Sequence, residues 1–281
     1  MKKLYVEPQG GLGNRMNCII SAIADSKKYG FDLIIVWNID QGCAIRFTDL
    51  MQPIENVKFI ELSKMGFRRI TGGLTAVSYL YTKYLMKCCE MIADESCVQK
   101  NFVEHPENKE VIYKADTIYL KSWCGWVDRE AFDTVRDLFI PRVIYVNKLE
   151  KIFKDVNKDK LYGFHIRRTD HVISIQNCPT ELFVNKMDEL IRNDQDVKFY
   201  LATDDMELEQ ELNKKYRHHI VRRQPFSKKV QRDSKEGMMD AFVDLLCLAS
   251  CKTIYGSDST FSTLASYLGN NELVVMQSNL L

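Results

Sequence analysis

The chain has 281 residues, of which 46% are hydrophobic and 27% are charged, and its net charge is +1. This composition is typical of a soluble globular protein, and the length suits two ordinary domains or one large α/β unit. A net charge so close to zero creates no long-range field that would favour nucleic acid or an acidic membrane as a partner.

The sequence contains no stretch of roughly 18 apolar residues, so we expect no membrane span. The apolar run that follows the first residues is broken at Glu7 and Pro8, which is unlike a secretion signal. The nine cysteines include no C-x-x-C spacing, which indicates free thiols in a reducing compartment. We therefore expect a cytoplasmic protein, in the cytosol of a host cell if the source is a virus.

In the first half, apolar runs and helical spacing alternate along the chain. They predict strands at 3–8, 31–37, 56–62 and 116–123, and helices at 15–29, near 76–90 and at 129–139. The opening strand, glycine-rich loop, helix and second strand indicate a parallel sheet, with Gly30 ending the first helix.

A second alternating pattern begins near residue 159. It predicts strands at 160–167, 197–205, 218–223 and 252–258, and helices at 179–194, 206–216, 235–251 and 259–269. Repeated strand–helix alternation is typical of doubly wound parallel sheets. We therefore predict an α/β protein with two Rossmann-like domains, 1–155 and 156–281, that meet in a linker near 145–158.

The motif GGLGN, from Gly10 to Asn14, lies between the first strand and the first helix. Glycines there let backbone N–H groups approach a phosphate or a sugar at a helix N-terminus. The motif lacks the third glycine of a dinucleotide fingerprint, since Met16 takes that position, and no Gly-Lys-Ser/Thr follows it. A simple tight turn explains the motif equally well.

The motif HIRRTD places Arg167, Arg168 and Asp170 at the end of a predicted buried strand. Strands of a parallel sheet deliver their last side chains to the crevice where ligands bind. Two guanidinium groups can neutralise a diphosphate, and a carboxylate can act as a general base or hold an arginine. The alternative is a surface cluster of ion pairs.

Acids follow the next strand and occur within a later helix. Asp204 and Asp205 can bind a ribose or a metal, although capping of the following helix is at least as good an explanation for one of them. Asp244 can accept hydrogen bonds from the N1–H and N2–H₂ edge of guanine, or it can pair with an arginine of the sheet.

Hydroxyl side chains are concentrated at the start of the last predicted helix, where phosphate binding and simple capping are both possible. They are Ser257, Ser259, Thr260 and Ser262. Four hydroxyls exceed what one cap needs, which favours a ligand. Arg232, in a basic loop, is a further candidate, whereas the five histidines show no metal-ligand spacing and we expect no metal.

Taken in order, GGLGN, HIRRTD, YLATDD and DAFVDLLCLASCKTIYGSDSTFS resemble the fucosyltransferase-like superfamily. This superfamily includes α1,6-fucosyltransferases, nodulation and protein O-fucosyltransferases, and small glycosyltransferases of bacteria and large algal viruses. The resemblance covers the second half of the chain and about the first 30 residues. It implies a GT-B fold with two Rossmann-like domains facing across a cleft, and an inverting transferase without a metal or other cofactor. The implied partners are a nucleotide sugar and a glycan acceptor.

The resemblance also implies roles for individual residues. Arg167, with Arg168 beside it, would grip the donor diphosphate, and Asp244 would contact the nucleobase. The resemblance further implies Gly11, Gly13 and Asn14 near the sugar, and Ser259, Thr260 and Phe261 at the phosphate. His165 and Asp204, at strand ends, complete the predicted donor-binding set.

The sequence departs from the α1,6-fucosyltransferases after the double arginine, where His171 follows Asp170 and the acceptor-activating glutamate is absent. Asp170 is therefore our first choice of general base and Glu181 our second. The departure leaves the donor open between GDP-fucose and another nucleotide sugar such as UDP-xylose. It also leaves open a binding module without catalysis. Trp123 and Trp126 can either stack on a sugar or belong to the core.

Overall fold

The computed structural model describes residues 2–63, 76–168, 172–226 and 233–278. The chain forms two compact units: Met1–Arg142 with Gln231–Met238, and Val143–Val230 with Met239–Leu281. Compared with the predicted division into 1–155 and 156–281, the first unit ends earlier and includes a short segment from the second half of the sequence.

The first unit contains a five-stranded sheet in the order β3-β2-β1-β5-β4. Its strands are β1 (Lys3–Pro8), β2 (Asp32–Ile39), β3 (Val57–Ser63), β4 (Met91–Ala93) and β5 (Thr117–Ser122). All of the strand pairings described in this sheet are parallel.

The second unit contains a four-stranded sheet in the order β7-β6-β8-β9, and its described pairings are also parallel. Its strands are β6 (Leu161–Ile166), β7 (Lys198–Thr203), β8 (Thr253–Gly256) and β9 (Glu272–Val275). The predicted α/β class with two parallel sheets is therefore confirmed.

Twelve α-helices lie in the described part of the chain. The first six are α1 (Leu12–Tyr29), α2 (Phe47–Leu50), α3 (Ala76–Lys87), α4 (Glu95–Val98), α5 (Lys109–Ile112) and α6 (Arg129–Asp133). The others are α7 (Val143–Ile152), α8 (Val172–Asn177), α9 (Thr180–Asn193), α10 (Met206–Lys215), α11 (Lys235–Ala249) and α12 (Thr260–Gly269).

In both sheets the direction of chain progress reverses at a central strand. In the first sheet the chain runs outward from β1 through β2 to β3, and then crosses to the other side of β1, where β5 pairs with β1 and β4 forms the edge. In the second sheet it runs from β6 to β7, and then crosses to the other side of β6, where β8 pairs with β6 and β9 forms the edge. These reversals are the topological switch points at which open α/β sheets bind ligands. GGLGN follows β1 and HIRRTD spans the end of β6, so both motifs lie at switch points.

Several predicted elements differ from the structure. The predicted strand at 218–223 is reduced to one isolated parallel bridge between Ile220 and Phe199. The expected linker near 145–158 begins as helix α7, and GGLGN is only partly a loop because α1 already begins at Leu12. The helix predicted at 129–139 is the short α6 followed by a 3₁₀ turn at Arg136–Leu138. Strands β4 and β9 and helices α2, α4, α5 and α8 were not predicted.

A buried carboxylate organises one side of the first unit. Asp25, on α1, accepts hydrogen bonds from the Tyr113 hydroxyl (2.7 Å) and from Nε1 of Trp126 (2.7 Å). Lys109 pairs with the same carboxylate at 3.4 Å. Trp126 therefore belongs to the core, whereas Trp123 is about half exposed. Of the two roles considered for these tryptophans, sugar stacking and core packing, Trp126 has the core role.

We predict that Asp25→Ala lowers the free energy of unfolding of the first unit by about 2–3 kcal/mol, because two buried donors lose their acceptor. All three tryptophans lie within the first 126 residues, so tryptophan fluorescence during urea unfolding reports on this unit. Asp137→Ala, at an exposed acid, is the matched control and should leave the midpoint unchanged. Equal midpoints for both variants would contradict the assigned role of Asp25.

Candidate nucleotide-sugar site

The backbone that follows β6 is held from both sides. The N–H of Arg167 donates to Oγ of Ser257 (3.1 Å), which follows β8, and the N–H of Arg168 donates to Oδ1 of Asp204 (2.7 Å), which follows β7. Because β6 lies between β7 and β8, the turns after both neighbours reach the same point at the carboxyl edge of the sheet. These contacts fix the backbone from which the half-buried Arg167 side chain projects.

Arg168 is tied to the protein by its guanidinium group. Nε and one terminal nitrogen donate to Oγ1 of Thr180 (3.1 and 3.0 Å), and the same terminal nitrogen donates to the carbonyl of Cys178 (2.8 Å). The other terminal nitrogen donates to the carbonyl of Arg167 (2.8 Å). Burial lowers the pKa of this guanidinium. Arg168 thus anchors the strand end to the start of α9, a positioning role that the sequence did not reveal.

His165 joins β6 to the first turn of α12. Its Nδ1 lies 2.6 Å from Oγ of Ser262, and that hydroxyl donates to the carbonyl of Ser257 (3.0 Å). The imidazole also lies 5.0 Å from the ring of Phe261. A side chain at Gly256 would approach Ser262 Oγ to 2.6 Å, so this close packing of β8 on α12 requires glycine.

The hydroxyl cluster at the start of α12 has an internal explanation. Ser257 receives the Arg167 N–H, Ser262 bonds His165 and Ser257, and Ser259 caps α12 by accepting from the N–H of Phe261 (3.2 Å). Of the four hydroxyls, only Thr260 has an exposed side chain. The hydroxyls in excess of one helix cap, which favoured a ligand in the sequence, are therefore largely engaged in hydrogen bonds within the turn. The helix N-terminus itself, beside Arg167, remains suited to an anion.

The two acids after β7 have separate tasks. Asp204 holds the Arg168 N–H, as described above. Asp205 caps α10 by accepting from the N–H groups of Glu207 (2.9 Å) and Leu208 (3.1 Å). The capping interpretation of the sequence is therefore confirmed for Asp205.

Asp244 takes part in a largely buried ion-pair network. Its carboxylate accepts from Nε and a terminal nitrogen of Arg223 (2.6 and 2.9 Å) and from the Tyr200 hydroxyl (2.6 Å). Arg223 also bonds Asp240 (2.8 Å), which in turn accepts from the N–H of Phe226 (2.8 Å). Of the two roles considered for Asp244, pairing with an arginine is the one that the structure displays.

The charges of this network shift the pKa values of its members. Burial alone would lower the pKa of Arg223, but the Asp244 carboxylate and its hydrogen bonds outweigh burial and raise it. Burial, followed by the nearby Asp244 charge, raises the pKa values of Tyr200 and of Glu209. Arg223 is therefore a fixed cation that is paired with the carboxylates of Asp240 and Asp244.

A groove of about 660 Å³ adjoins this network in the second unit. Arg223 and Asp240 form part of its wall. The remaining charged side chains of its lining are Glu209, Lys214, Arg217 and Arg222. The lining carries four cations and two acids, so the groove favours a ligand with net negative charge.

In the first unit, GGLGN is held by a buried arginine. Arg15, only 1% exposed, donates from Nε to the carbonyl of Gly10 (2.8 Å) and pairs with Asp40 (2.8 Å). It also donates to the Asn38 carbonyl and stacks over Trp37, 5.1 Å from the ring. Arg15 therefore ties the loop after β1 to the loop after β2.

The glycines of this motif differ in what they require. Gly10 has φ +78°, and a side chain there would meet Nδ2 of Asn14 at 2.8 Å, so both conformation and space demand glycine. Gly11 precedes α1 with extended backbone and no side-chain cap, and a Cβ there would face open space in the described structure. Gly13 and Asn14 lie in the first turn of α1. The switch point thus presents an open helix N-terminus.

The two candidate general bases and Arg232 are not among the residues that the described contacts bring together. Asp170 and Arg232 lie outside the described residues, so the roles assigned to them stay predictions. Glu181, the second choice of base, lies exposed in the first turn of α9. Within the described ranges, no three His, Cys, Asp or Glu side chains are grouped to hold a metal ion.

Two residues of evident importance were missed. Arg223 was treated as part of a solvated basic loop, although its place as the last residue of the strand predicted at 218–223 was the available signal. Arg15 directly follows GGLGN, but nothing in the sequence distinguishes a buried arginine from an exposed one. The sequence also gave no sign that Arg168 would bind Thr180 twelve residues later.

The comparisons with known proteins identify the fold. No protein-family model matches the chain, and no curated protein matches it either. Solved structures do. NodZ α1,6-fucosyltransferase, soaked with GDP-fucose, is 17% identical with a TM-score of 0.61, over 95% of this chain and 93% of that one. Another NodZ structure is described as coming from Bradyrhizobium. The chain has the fold of the fucosyltransferase-like glycosyltransferases.

Two further structures agree with this assignment. Arabidopsis thaliana FUT1, as a mutant in complex with GDP, is 13% identical with a TM-score of 0.60, over 98% of this chain and 70% of that one. POFUT1 in complex with GDP-fucose is 10% identical with a TM-score of 0.56, over 98% of both chains. The predicted resemblance and the GT-B class are thereby confirmed at the level of fold. No described helix combines the length and apolarity needed to cross a membrane.

We predict that Arg168→Lys lowers the free energy of unfolding of the second unit by about 1–3 kcal/mol, because an ammonium cannot replace the fork held by Thr180 and Cys178. Thermal unfolding followed by circular dichroism measures the change. Arg192→Lys, at an exposed arginine of α9, should have no effect. Unchanged stability together with lost nucleotide affinity would instead return Arg168 to the diphosphate role.

Proposed function

We propose that this protein is a glycosyltransferase that transfers a sugar from a nucleotide-sugar donor to a hydroxyl of a glycan acceptor. One observation carries the proposal: two side chains hold the backbone of Arg167 at the switch point of the second sheet, and one of them, Ser257, lies just before the N-cap of α12. A guanidinium and a helix N-terminus together suit a diphosphate. The fold of the similar solved structures, several of them described with GDP or GDP-fucose, supports the same proposal.

For the chemistry we propose an inverting displacement. The acceptor oxygen forms a bond to the anomeric carbon while the bond from that carbon to the β-phosphate oxygen breaks. The acceptor proton passes to a general base, Asp170 in the first instance and Glu181 in the second. Such proton transfer contributes about 10²–10⁴-fold in rate.

Negative charge then grows on the departing nucleoside diphosphate. Arg167 and the positive end of the α12 helix dipole are the groups proposed to stabilise it, and Arg168 acts by holding Arg167 in place. Preorganised electrostatic groups of this kind are usually the largest contribution to catalysis. With the diphosphate neutralised by these groups, we propose that the reaction needs no metal ion and no further cofactor.

The primary candidate for the donor is GDP-fucose, because GDP and GDP-fucose are the ligands named for the similar structures. A second candidate, a UDP-sugar such as UDP-xylose, is favoured by the pairing of Asp244 with Arg223. A carboxylate that accepts from guanine must share or release its arginine. A guanidinium, in contrast, can donate directly to the carbonyl oxygens of uracil.

We also propose that the protein works in the cytoplasm. All nine cysteines are free and five of them are buried, which suits a reducing compartment.

We predict that Arg167→Ala lowers turnover of the preferred nucleotide sugar by about 10²–10³-fold or more, because the leaving group loses its main cation. Arg167→Lys should also be poor, since an ammonium lacks the fork. The measurement is NMR detection of released GDP or UDP from a panel of nucleotide sugars, with and without EDTA. Arg192→Ala is the matched control.

Turnover that survives EDTA and depends on Arg167 supports the proposal. Full activity of Arg167→Ala would remove this residue from the site, and loss of turnover with EDTA would contradict metal independence. Nucleotide binding without turnover of any donor, in the presence of glycan acceptors, would favour a binding module.

The nucleobase is tested by two variants at the ion-pair network. If guanine is read by Asp244, Asp244→Asn should weaken GDP binding about tenfold or more, whereas Arg223→Lys should leave it nearly unchanged. If uracil is read by Arg223, Arg223→Lys should weaken UDP binding instead. Calorimetric titration of both nucleotides against both variants, with circular dichroism as a folding control, decides between the donors.

A further inference from the structure

Helix α3 turns most of its large apolar side chains towards solvent, unlike an ordinary helix that packs on a sheet. The side chains that it buries include Ser78 and Thr82, which are 7% and 9% exposed, while Val77, Leu80 and Tyr84 are 77%, 64% and 61% exposed. An ordinary surface helix buries its apolar stripe and exposes its polar one. Its inner contact with the sheet is made mainly by Leu85, which packs with Val36 and Tyr119.

The inner hydroxyls are satisfied within the protein, so this orientation is stable. Oγ of Ser78 donates to the carbonyl of Ser63 (3.0 Å), and Oγ1 of Thr82 donates to the carbonyl of Ser78 (3.0 Å). Turning the helix to bury Leu80 would expose Leu85 and break the bond to Ser63. The outward apolar side chains are therefore a built feature of the first unit.

The composition of the outward face indicates what covers it. Besides Val77, Leu80 and Tyr84, it presents two further tyrosines, 79 and 81, each about two-fifths exposed. The charged residues of the helix are Lys83 and Lys87, and it contains no acid. Tyrosine rings favour the boundary between lipid headgroups and acyl chains, and lysines extend past an apolar surface to reach phosphates. Such a face is typical of helices that lie on membranes.

A second copy of the chain is a poorer occupant. A helix of 12 residues is about 18 Å long and 10 Å wide, which presents on the order of 200 Å². A stable interface buries about 800 Å² on each partner. A symmetric contact would also bring Lys83 and Lys87 of one copy towards those of the other.

We propose that α3 is a membrane-surface contact that binds anionic lipid bilayers peripherally. Leu80 and Tyr84 enter the headgroup boundary, and Lys83 and Lys87 contact lipid phosphates. The attraction is local, since the net charge of the whole chain is only +1. The proposal does not depend on sugar transfer, because none of these residues belongs to the candidate site.

The test is co-sedimentation of the full chain with vesicles of phosphatidylcholine, alone or mixed with phosphatidylglycerol. We expect binding to the anionic vesicles that weakens with salt. The double variant Leu80→Ser/Tyr84→Ser should reduce binding about tenfold or more. Val111→Ser is the matched control, since Val111 is also 64% exposed but lies on α5.

Lys83→Glu/Lys87→Glu should remove the preference for anionic vesicles, which a merely structural helix would not do. No binding at low salt would overturn the proposal. So would equal binding by the Leu80→Ser/Tyr84→Ser and Val111→Ser variants. Self-association in analytical ultracentrifugation that Leu80→Ser/Tyr84→Ser abolishes, without vesicle binding, would also overturn it and assign the face to a second copy.

Discussion

The candidate site depends on two hydrogen bonds at the end of β6. The N–H groups just beyond the end of a parallel strand have no partner within the sheet. Here the N–H groups of Arg167 and Arg168 donate to the side chains of Ser257 and Asp204. Because the two acceptors follow the strands on either side, the sheet order itself determines where the Arg167 side chain begins. Arg168 closes the arrangement by binding the carbonyl of Arg167 and the start of α9. A diphosphate-binding arginine needs such support, since a guanidinium on mobile backbone loses its bidentate geometry.

Both units fix the backbone that follows their central strand, one through acceptor side chains and the other through a donor side chain. After β6, acceptor side chains hold backbone N–H groups. After β1, the buried Arg15 guanidinium holds the backbone carbonyls of Gly10 and Asn38 and is balanced by Asp40. A buried arginine is stable only with such a partner and with its donors used. In the second unit the result is a fixed strand end at the switch point, and in the first unit it is a fixed turn that leads into α1.

The sequence predicts the parts of the fold that depend on strong local patterns. Strands β1, β2, β6, β7 and β8 are buried and apolar, and the Gly30 stop was predicted and is confirmed. Capping was one of two roles considered for the hydroxyls before α12, and Ser259 has that role. Strands β4 and β9 have only three and four residues, and pairing with one neighbour defines them. In the candidate site, too, local sequence patterns do not reveal features that depend on tertiary contacts. Motifs located Arg167 and Asp204, but the partners of Asp244 and Arg168 lie 21 and 12 residues away and depend on tertiary packing.

The ion pair between Arg223 and Asp244 shows how two neighbouring acids of α11 are stabilised. Asp240 is buried and Asp244, one helical turn away, is largely buried, so their negative charges repel each other unless a cation is paired with them. Arg223 neutralises both and positions Phe226 through Asp240. A ligand that bonds Asp244 must therefore share or replace an existing charge-assisted hydrogen bond, and where it replaces one it gains only the difference between the two. A ligand that bonds Arg223 through its remaining donors keeps the pair intact. We therefore propose that the nucleobase edge, more than the diphosphate, is the part of the donor that selects the substrate.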